Sequence, residues 1–181
     1  AHMKIGSDLK ADHWPQRSSL LDENLKGEAL IRAKYQAYMR DYFACVAGVD
    51  ENVGRLVQQL KDDGLYDNTI VMFSSDQGFY LGEHGWFDKR WMYEESFRTP
   101  FVAKWKGVIE PGTVNEDLAQ NIDFAPTFLD IAGVAAPEDM QGESLVPLFK
   151  GQTPDDWRTS LYYHYYMDGH GTTRHEGVSE G

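Results

Sequence analysis

Thr69-Ile70-Val71-Met72-Phe73 is a β-branched, apolar run that gives way at once to Ser74-Ser75-Asp76-Gln77-Gly78. A continuous apolar run bounded by turn-forming residues predicts a strand covered on both faces. Upstream, Ile31, Tyr35, Tyr38, Tyr42, Val46, Val49, Val53, Leu56 and Leu60 recur at steps of three and four between Glu28 and Lys61, which is the period of one helix face. Arg32, Lys34, Arg40, Asp41, Glu51, Arg55 and Lys61 occupy the opposite face, so the helix is expected to be half solvated, with Gly48 or Gly54 as the points where it would kink or divide. Gly64 is its natural stop. Helix, tight turn at 65–68 and buried strand together predict an α/β unit.

Downstream, Pro100-Phe101-Val102-Ala103-Lys104-Trp105 reads as a second strand, with Pro100 at the position where its missing N–H does least harm. Residues 123–133 read as a short helix that Asp123 would cap and Gly133 would close. A short apolar segment at 145–149 leads through a Pro/Asp/Gly-rich link to Leu161-Tyr162-Tyr163-His164-Tyr165-Tyr166, an aromatic strand. The stretch from Asp168 to Gly181 reads as ending without a closing element. Three regions follow: 1–27, where Ala1-His2-Met3 has the look of a vector-derived leader and the rest is irregular; 28–150, the α/β part; and 151–181, a linker and the start of a smaller subdomain.

Composition narrows the function. With 181 residues, 41% hydrophobic and 25% charged, the chain can build an ordinary core. Seventeen Lys+Arg against 29 Asp+Glu leave a formal charge of −12, a field that repels nucleic acid and anionic membranes. No apolar stretch approaches the roughly 18 residues of a membrane span, and no N-terminal export signal is visible. The single cysteine, Cys45, cannot form an internal disulfide; it lies on the predicted helix and reads as a packed core thiol.

The long connection between the two central strands holds the reactive side chains. In open α/β sheets ligands bind beyond the carboxyl ends of strands, which is where Asp76 and Gln77 fall. A carboxylate beside an amide oxygen suits a hard cation such as Ca²⁺ or Mg²⁺. The same Asp-Gln-Gly is also ordinary turn chemistry, with Gly78 supplying a positive φ. His84, between Gly82 and Gly85, reads either as a proton or hydrogen-bond donor or as a brace for its loop.

Ser75-Asp76-Gln77-Gly78, Gly82-Glu83-His84-Gly85, Lys89 with Tyr93-Glu94, and Arg98-Thr99-Pro100 follow one another in the order and at the spacings found in type I sulfatases, relatives of alkaline phosphatase. The chain closely resembles that family over 70–105 and 123–149. The Gln at position 77 and Asp88-Lys89-Arg90 resemble sulfatases of amino sugars and glycosaminoglycan pieces. The resemblance implies an alkaline-phosphatase-like α/β sandwich, with a long helix, central-sheet strands and the start of a C-terminal substrate-binding subdomain. It implies that Asp76 and Gln77 are ligands of Ca²⁺, with Mg²⁺ as the alternative, and that Lys89 and His84 are catalytic. Asp88 and Arg90 would touch the sugar, as would His164, Arg174 and His175 in the subdomain. A sulfated sugar is the implied substrate, and export to the periplasm, the lysosome or the medium the implied location.

One part of the family pattern is missing. The Cys/Ser-x-Pro-x-Arg segment that yields the formylglycine nucleophile does not occur, and Cys45-Val46-Ala47-Gly48 does not replace it. The family's N-terminal Asp-Asp metal pair has no counterpart either, since Asp62-Asp63 ends the helix and Asp155-Asp156 sits in the link. The chain is therefore expected to be the C-terminal part of a catalytic domain, inert alone and partnered by the N-terminal half of the same enzyme. Two other readings stand beside the sulfatase: a phosphonate or phosphodiester hydrolase of the superfamily, in which His usually replaces Gln77, and a non-catalytic binding domain.

Overall fold

The computed structural model describes residues 24–168 and 172–180. Most of the irregular lead-in expected at 1–27 lies outside the described residues. The elements are α1 (Gly27–Asp62), β1 (Val71–Ser74), α2 (Glu94–Phe97), β2 (Phe101–Lys104), α3 (Phe124–Ile131), α4 (Val146–Phe149), β3 (Ser160–Tyr165) and β4 (His175–Glu180), with single 3-10 turns at Tyr66–Asn68, Glu83–Gly85 and Asn121–Asp123. The chain divides into two compact units, Ala1–Tyr66 with Gln77–Arg98 and Asp67–Asp76 with Thr99–Gly181.

In the first unit, α1 runs unbroken through Gly48 and Gly54, and Asp63 ends it. Neither glycine divides it, because its helix-forming neighbours complete the backbone ladder on either side. The expected half-burial is only partly realised. Ile31 is buried and Tyr38 meets Phe87 edge-on at 5.3 Å, yet Phe43, Val46, Val49 and Leu56 are exposed. Cys45 is exposed too, which corrects its assignment as a core thiol. Helical periodicity says which face is apolar; it does not say that this chain supplies the cover. The core of the unit is the loop after β1, where Tyr80 is fully buried.

In the second unit, β1 and β2 pair antiparallel from Val71↔Lys104 to Ser74↔Phe101. Expected burial on both faces of β1 is not met: Phe73 is exposed, while Val71 and Met72 are half-buried. Phe101 packs between Phe124 and Phe149, with ring centroids at 5.3 and 6.3 Å, and Leu145, Val146 and Leu148 close the core below. Asp123 does not cap α3 with its side chain. Its carboxylate reaches back instead to the Gln120 N–H at 2.7 Å, in a capping box around the preceding 3-10 turn, while Gly133 closes α3 with φ +69°.

The aromatic strand is β3, and it pairs antiparallel with β4, from Ser160↔Glu180 to Tyr165↔His175. The terminal stretch therefore does contain a closing element. Only Val178 is apolar in β4, so pairing with β3 rather than burial of its own side chains makes it a strand. No helix among the described residues is long and apolar enough to cross a membrane.

Candidate active site

Ser75-Asp76 leaves the carboxyl end of β1 in the second unit, with the Asp76 side chain exposed. The Asn121 amide donates to the Ser75 carbonyl at 3.2 Å and to the Asp76 carbonyl at 2.9 Å. Asn121 thus ties the backbone of Asp76 to the turn before α3, a role that a separation of 45 residues hid from sequence reading.

The next residue, Gln77, opens the segment of the first unit that runs to Arg98. Gly78 donates its N–H to the Ser96 carbonyl at 2.7 Å. A Cβ on Gly78 would stand 2.1 Å from the Glu95 carbonyl oxygen and 2.8 Å from that of Ser96. Close approach, not the expected positive φ, is what requires glycine here, for Gly78 is absent from the positive-φ residues. Gly78→Ala in the intact protein is expected to separate the loop from α2, read as faster hydrogen exchange of the Ser96 and Phe97 amides. Unchanged exchange would remove the clash as the reason for this glycine.

From Tyr80 the loop folds back on itself. The Tyr80 N–H donates to the Asp88 carbonyl at 2.7 Å, the Tyr80 hydroxyl to the Trp91 carbonyl, and the Ser96 hydroxyl to the Lys89 carbonyl. Three carbonyls spanning 88–91 are thereby pinned, and burial of Tyr80 pushes its phenol up to about 12. On this fixed backbone the side chains differ sharply. Arg90 is paired with Asp88, whereas among the described residues no carboxylate pairs with the Lys89 ammonium. A rigid main chain carrying an uncompensated ammonium is suited to receive an anion.

His84 sits in the 3-10 turn with φ 57° and ψ 12°, the one non-glycine residue with positive φ among those described. Its Nε2 lies 3.2 Å from Glu95 Oε2, and its ring stacks on Tyr93 at 4.4 Å and 21°. The Glu95 carboxyl is held below the usual carboxylate range, first by its own backbone N–H and then, against some desolvation, by His84. Sequence reading missed Glu95 and Ser96.

The remaining candidates lie on the β3–β4 hairpin of the second unit. His164 stands opposite Glu176, with Nδ1 3.3 Å from its carboxylate and 3.1 Å from the Tyr162 hydroxyl, and stacks on Tyr166 at 3.8 Å. Arg174 is held by Asp168 at 2.9 Å, an exposed pair. His175 stacks against Tyr165 at 5.3 Å and its Nδ1 lies 2.8 Å from the Thr173 carbonyl oxygen. Arg174 and His175 are consecutive in the chain and engage different partners, so the hairpin does not present them as one cationic pair.

The family model described as N-sulphoglucosamine sulphohydrolase, C-terminal, matches residues 82–181, more than half of the chain. The chain belongs to the sulfatases. It is 54% identical over 159 residues to the N-acetylglucosamine-6-O-sulfatase of Bacteroides thetaiotaomicron, a match that takes in 86% of this chain and 28% of that protein. The N-acetylglucosamine-6-sulfatase of Homo sapiens is 33% identical over 136 residues, 74% of this chain and 24% of its own length. Among solved structures, a protein in complex with its substrate D-glucosamine-2-N,6-O-disulfate superposes with TM-score 0.82 at 53% identity, covering 87% of this chain and 33% of that one. The phosphonate monoester hydrolase from Silicibacter pomeroyi superposes at 0.70 with 30% identity, covering 78% of this chain and 27% of its own. The sulfatase chain thus has the alkaline-phosphatase-like α/β fold expected of it and spans less than a third of these curated relatives.

Proposed function

We propose that the protein carrying this chain is a sulfuric ester hydrolase that removes sulfate from an amino sugar, with a 6-O-sulfated glucosamine as the class of substrate. The observation that carries the reading is Lys89: its main chain is pinned by Ser96 and flanked by two carbonyls bonded to Tyr80, and its ammonium has no carboxylate partner among the described residues. Sulfate-ester cleavage develops negative charge on the leaving oxygen, and a preorganised cation lowers that barrier without reorganising. His84 would supply the proton or hydrogen bond at the leaving group. Asp88 and Arg90 would meet the sugar, as would His164, Arg174 and His175 on the hairpin.

Asp76 and Gln77 offer the hard oxygen donors that Ca²⁺ or Mg²⁺ prefers. They are a partial set, because among the described residues no group of three or more His, Cys, Asp or Glu could hold a metal ion. The donor chemistry fits a divalent cation whose other ligands, like the formylglycine nucleophile, come from outside this chain. Asp76 and Gln77 would hold part of that cation's shell, and the chemistry it would supply is neutralisation of charge on a sulfate oxygen. Gln77 in place of His favours this over the phosphonate or phosphodiester reading. Export belongs to the same proposal, supported by the 38% identity to an extracellular sulfatase homologue of Drosophila melanogaster.

The test is release of inorganic sulfate from N-acetylglucosamine 6-sulfate by the intact protein, run beside a phosphonate monoester and with a chelator. Sulfate release that a chelator abolishes and Ca²⁺ restores is expected. Faster turnover of the phosphonate ester would transfer the protein to the rival class, and turnover of neither would leave a binding domain.

A further inference from the structure

We propose that Glu95 is a positioning residue for His84, fixing which ring nitrogen carries the proton and which faces the substrate; the inference rests on the sulfatase reading above for its catalytic consequence only. Four side chains converge on the ring. Glu95 Oε2 meets Nε2 at 3.2 Å, Tyr93 lies flat against one face at 4.4 Å, Tyr80 meets it edge-on at 6.0 Å, and Trp86 lies tilted at 6.1 Å. Two of these four, Tyr93 and Glu95, stand at the start of α2, whose next residue, Ser96, also holds Gly78 and Lys89.

The backbone of His84 reinforces the point. A non-glycine residue in the left-handed region is strained and persists only where its surroundings over-determine it. Here Gly82 and Gly85 take the positive φ values on either side, 112° and 77°, and Glu83 turns its carboxylate back onto the Leu81 N–H at 2.6 Å. Glu83 is thereby occupied locally, which leaves Glu95 as the carboxylate that meets the imidazole. Side chains of His84 and Glu95 are about a third exposed, 31% and 33%, so the ring is reachable from solvent while one nitrogen is committed.

The tautomer follows from the partner. A carboxylate can only accept, so Nε2 must carry hydrogen in the contact, and neutral His84 is then the Nε2–H form with the Nδ1 lone pair outward. Protonation places a second N–H at Nδ1, and that N–H is the one available to an anionic ester. Among the described residues no other group hydrogen-bonds His84. Glu95 therefore decides which nitrogen meets the substrate, as an orienting acid does for a catalytic histidine generally.

The experiment uses the intact enzyme with ¹⁵N-labelled histidine, and the His84→Gln spectrum assigns the resonances. Wild-type His84 is expected as the Nε2–H tautomer; a Nδ1–H tautomer would overturn the proposal with no variant needed. Glu95→Ala should convert the ring to a mixture of tautomers and lower kcat roughly 10-fold with KM within about threefold, part of what a positioned proton donor contributes. Glu95→Gln keeps the volume, but its amide can donate as well as accept, so the ring should be a mixture of tautomers with kcat between those of Glu95→Ala and wild type; kcat fully restored while the tautomer is mixed would show that Glu95 only fills space. A tautomer unchanged in Glu95→Ala would overturn the positioning role. A tautomer that changes with kcat intact would support it and remove His84 from the reaction, so the two readings fail separately.

Discussion

Lys89→Ala in the intact enzyme is expected to lower kcat by about 10²–10³-fold, equivalent to about 3–4 kcal/mol of transition-state stabilisation. Arg90→Ala is expected to act chiefly on KM. The difference follows from what each charge is doing before substrate arrives. The Arg90 guanidinium already has a partner in Asp88, with both side chains about a quarter exposed, so its field is largely spent within the loop. Lys89 has no such partner among the described residues, and its backbone is fixed by the Ser96 hydroxyl. An ammonium that meets negative charge only as the ester bond breaks contributes to kcat, whereas a contact made equally in the ground state contributes to KM. Thermal melting of both variants should lie close to wild type, since the Asp88–Arg90 pair contributes about 1 kcal/mol or less. Wild-type kcat in Lys89→Ala, with loss of turnover in Arg90→Ala, would show that the motif is out of register by one residue.

The parts of this fold that were legible are those whose signal is local and repeated. The apolar period from Ile31 to Leu60 placed α1 to within a residue at either end, because helix extent depends on neighbours three and four positions away. The same period misled about Cys45: it marks a face, and burial depends on what lies opposite. Likewise β4 escaped notice since His175-Glu176-Gly177-Val178-Ser179-Glu180 shows little hydrophobic pattern, and its strand character arises from the β3 edge beside it. In the candidate site the order of motifs named Asp76, Gln77, His84 and Lys89, each a residue type with obvious chemistry. The residues that hold them in place carried no such mark. Glu95 reaches His84 across 11 positions, Ser96 reaches Lys89 across 7, and Asn121 reaches Asp76 across 45. Loop closure of this kind has no period, so it shows only in the folded chain.

Asp123→Ala is expected to destabilise the protein more than any surface change, by about 3–5 kcal/mol, because it leaves a buried cation uncompensated. Asp123 is completely buried and accepts four hydrogen bonds: from the Gln120 N–H at 2.7 Å, from the Glu143 N–H at 2.9 Å, and two from the Arg158 guanidinium in a fork, one of them at 2.8 Å. Arg158 is 15% exposed and draws the chain before β3 against the start of α3. One turn on, the buried Thr127 hydroxyl donates to the Asp123 carbonyl at 2.6 Å and accepts the Leu145 N–H at 2.8 Å, so the Glu143–Leu145 segment is held at both ends. Gly142 completes the contact, as a Cβ there would stand 2.0 Å from the Ile122 carbonyl oxygen. Removing the carboxylate strands two backbone donors and a guanidinium in a region water reaches poorly, and each orphaned group adds its desolvation cost. By differential scanning calorimetry of the intact protein, Asp123→Ala should melt roughly 10 °C below wild type. Lys106→Ala, which breaks the exposed ion pair with Asp67, should shift the midpoint by no more than a degree or two. Arg158→Ala should resemble Asp123→Ala, and the double variant should cost clearly less than the two added together, since the second substitution removes the charge that the first left alone. Strict additivity, or an Asp123→Ala midpoint within two degrees of wild type, would mean that apolar packing of Leu145, Val146 and Leu148 holds this unit without the buried pair.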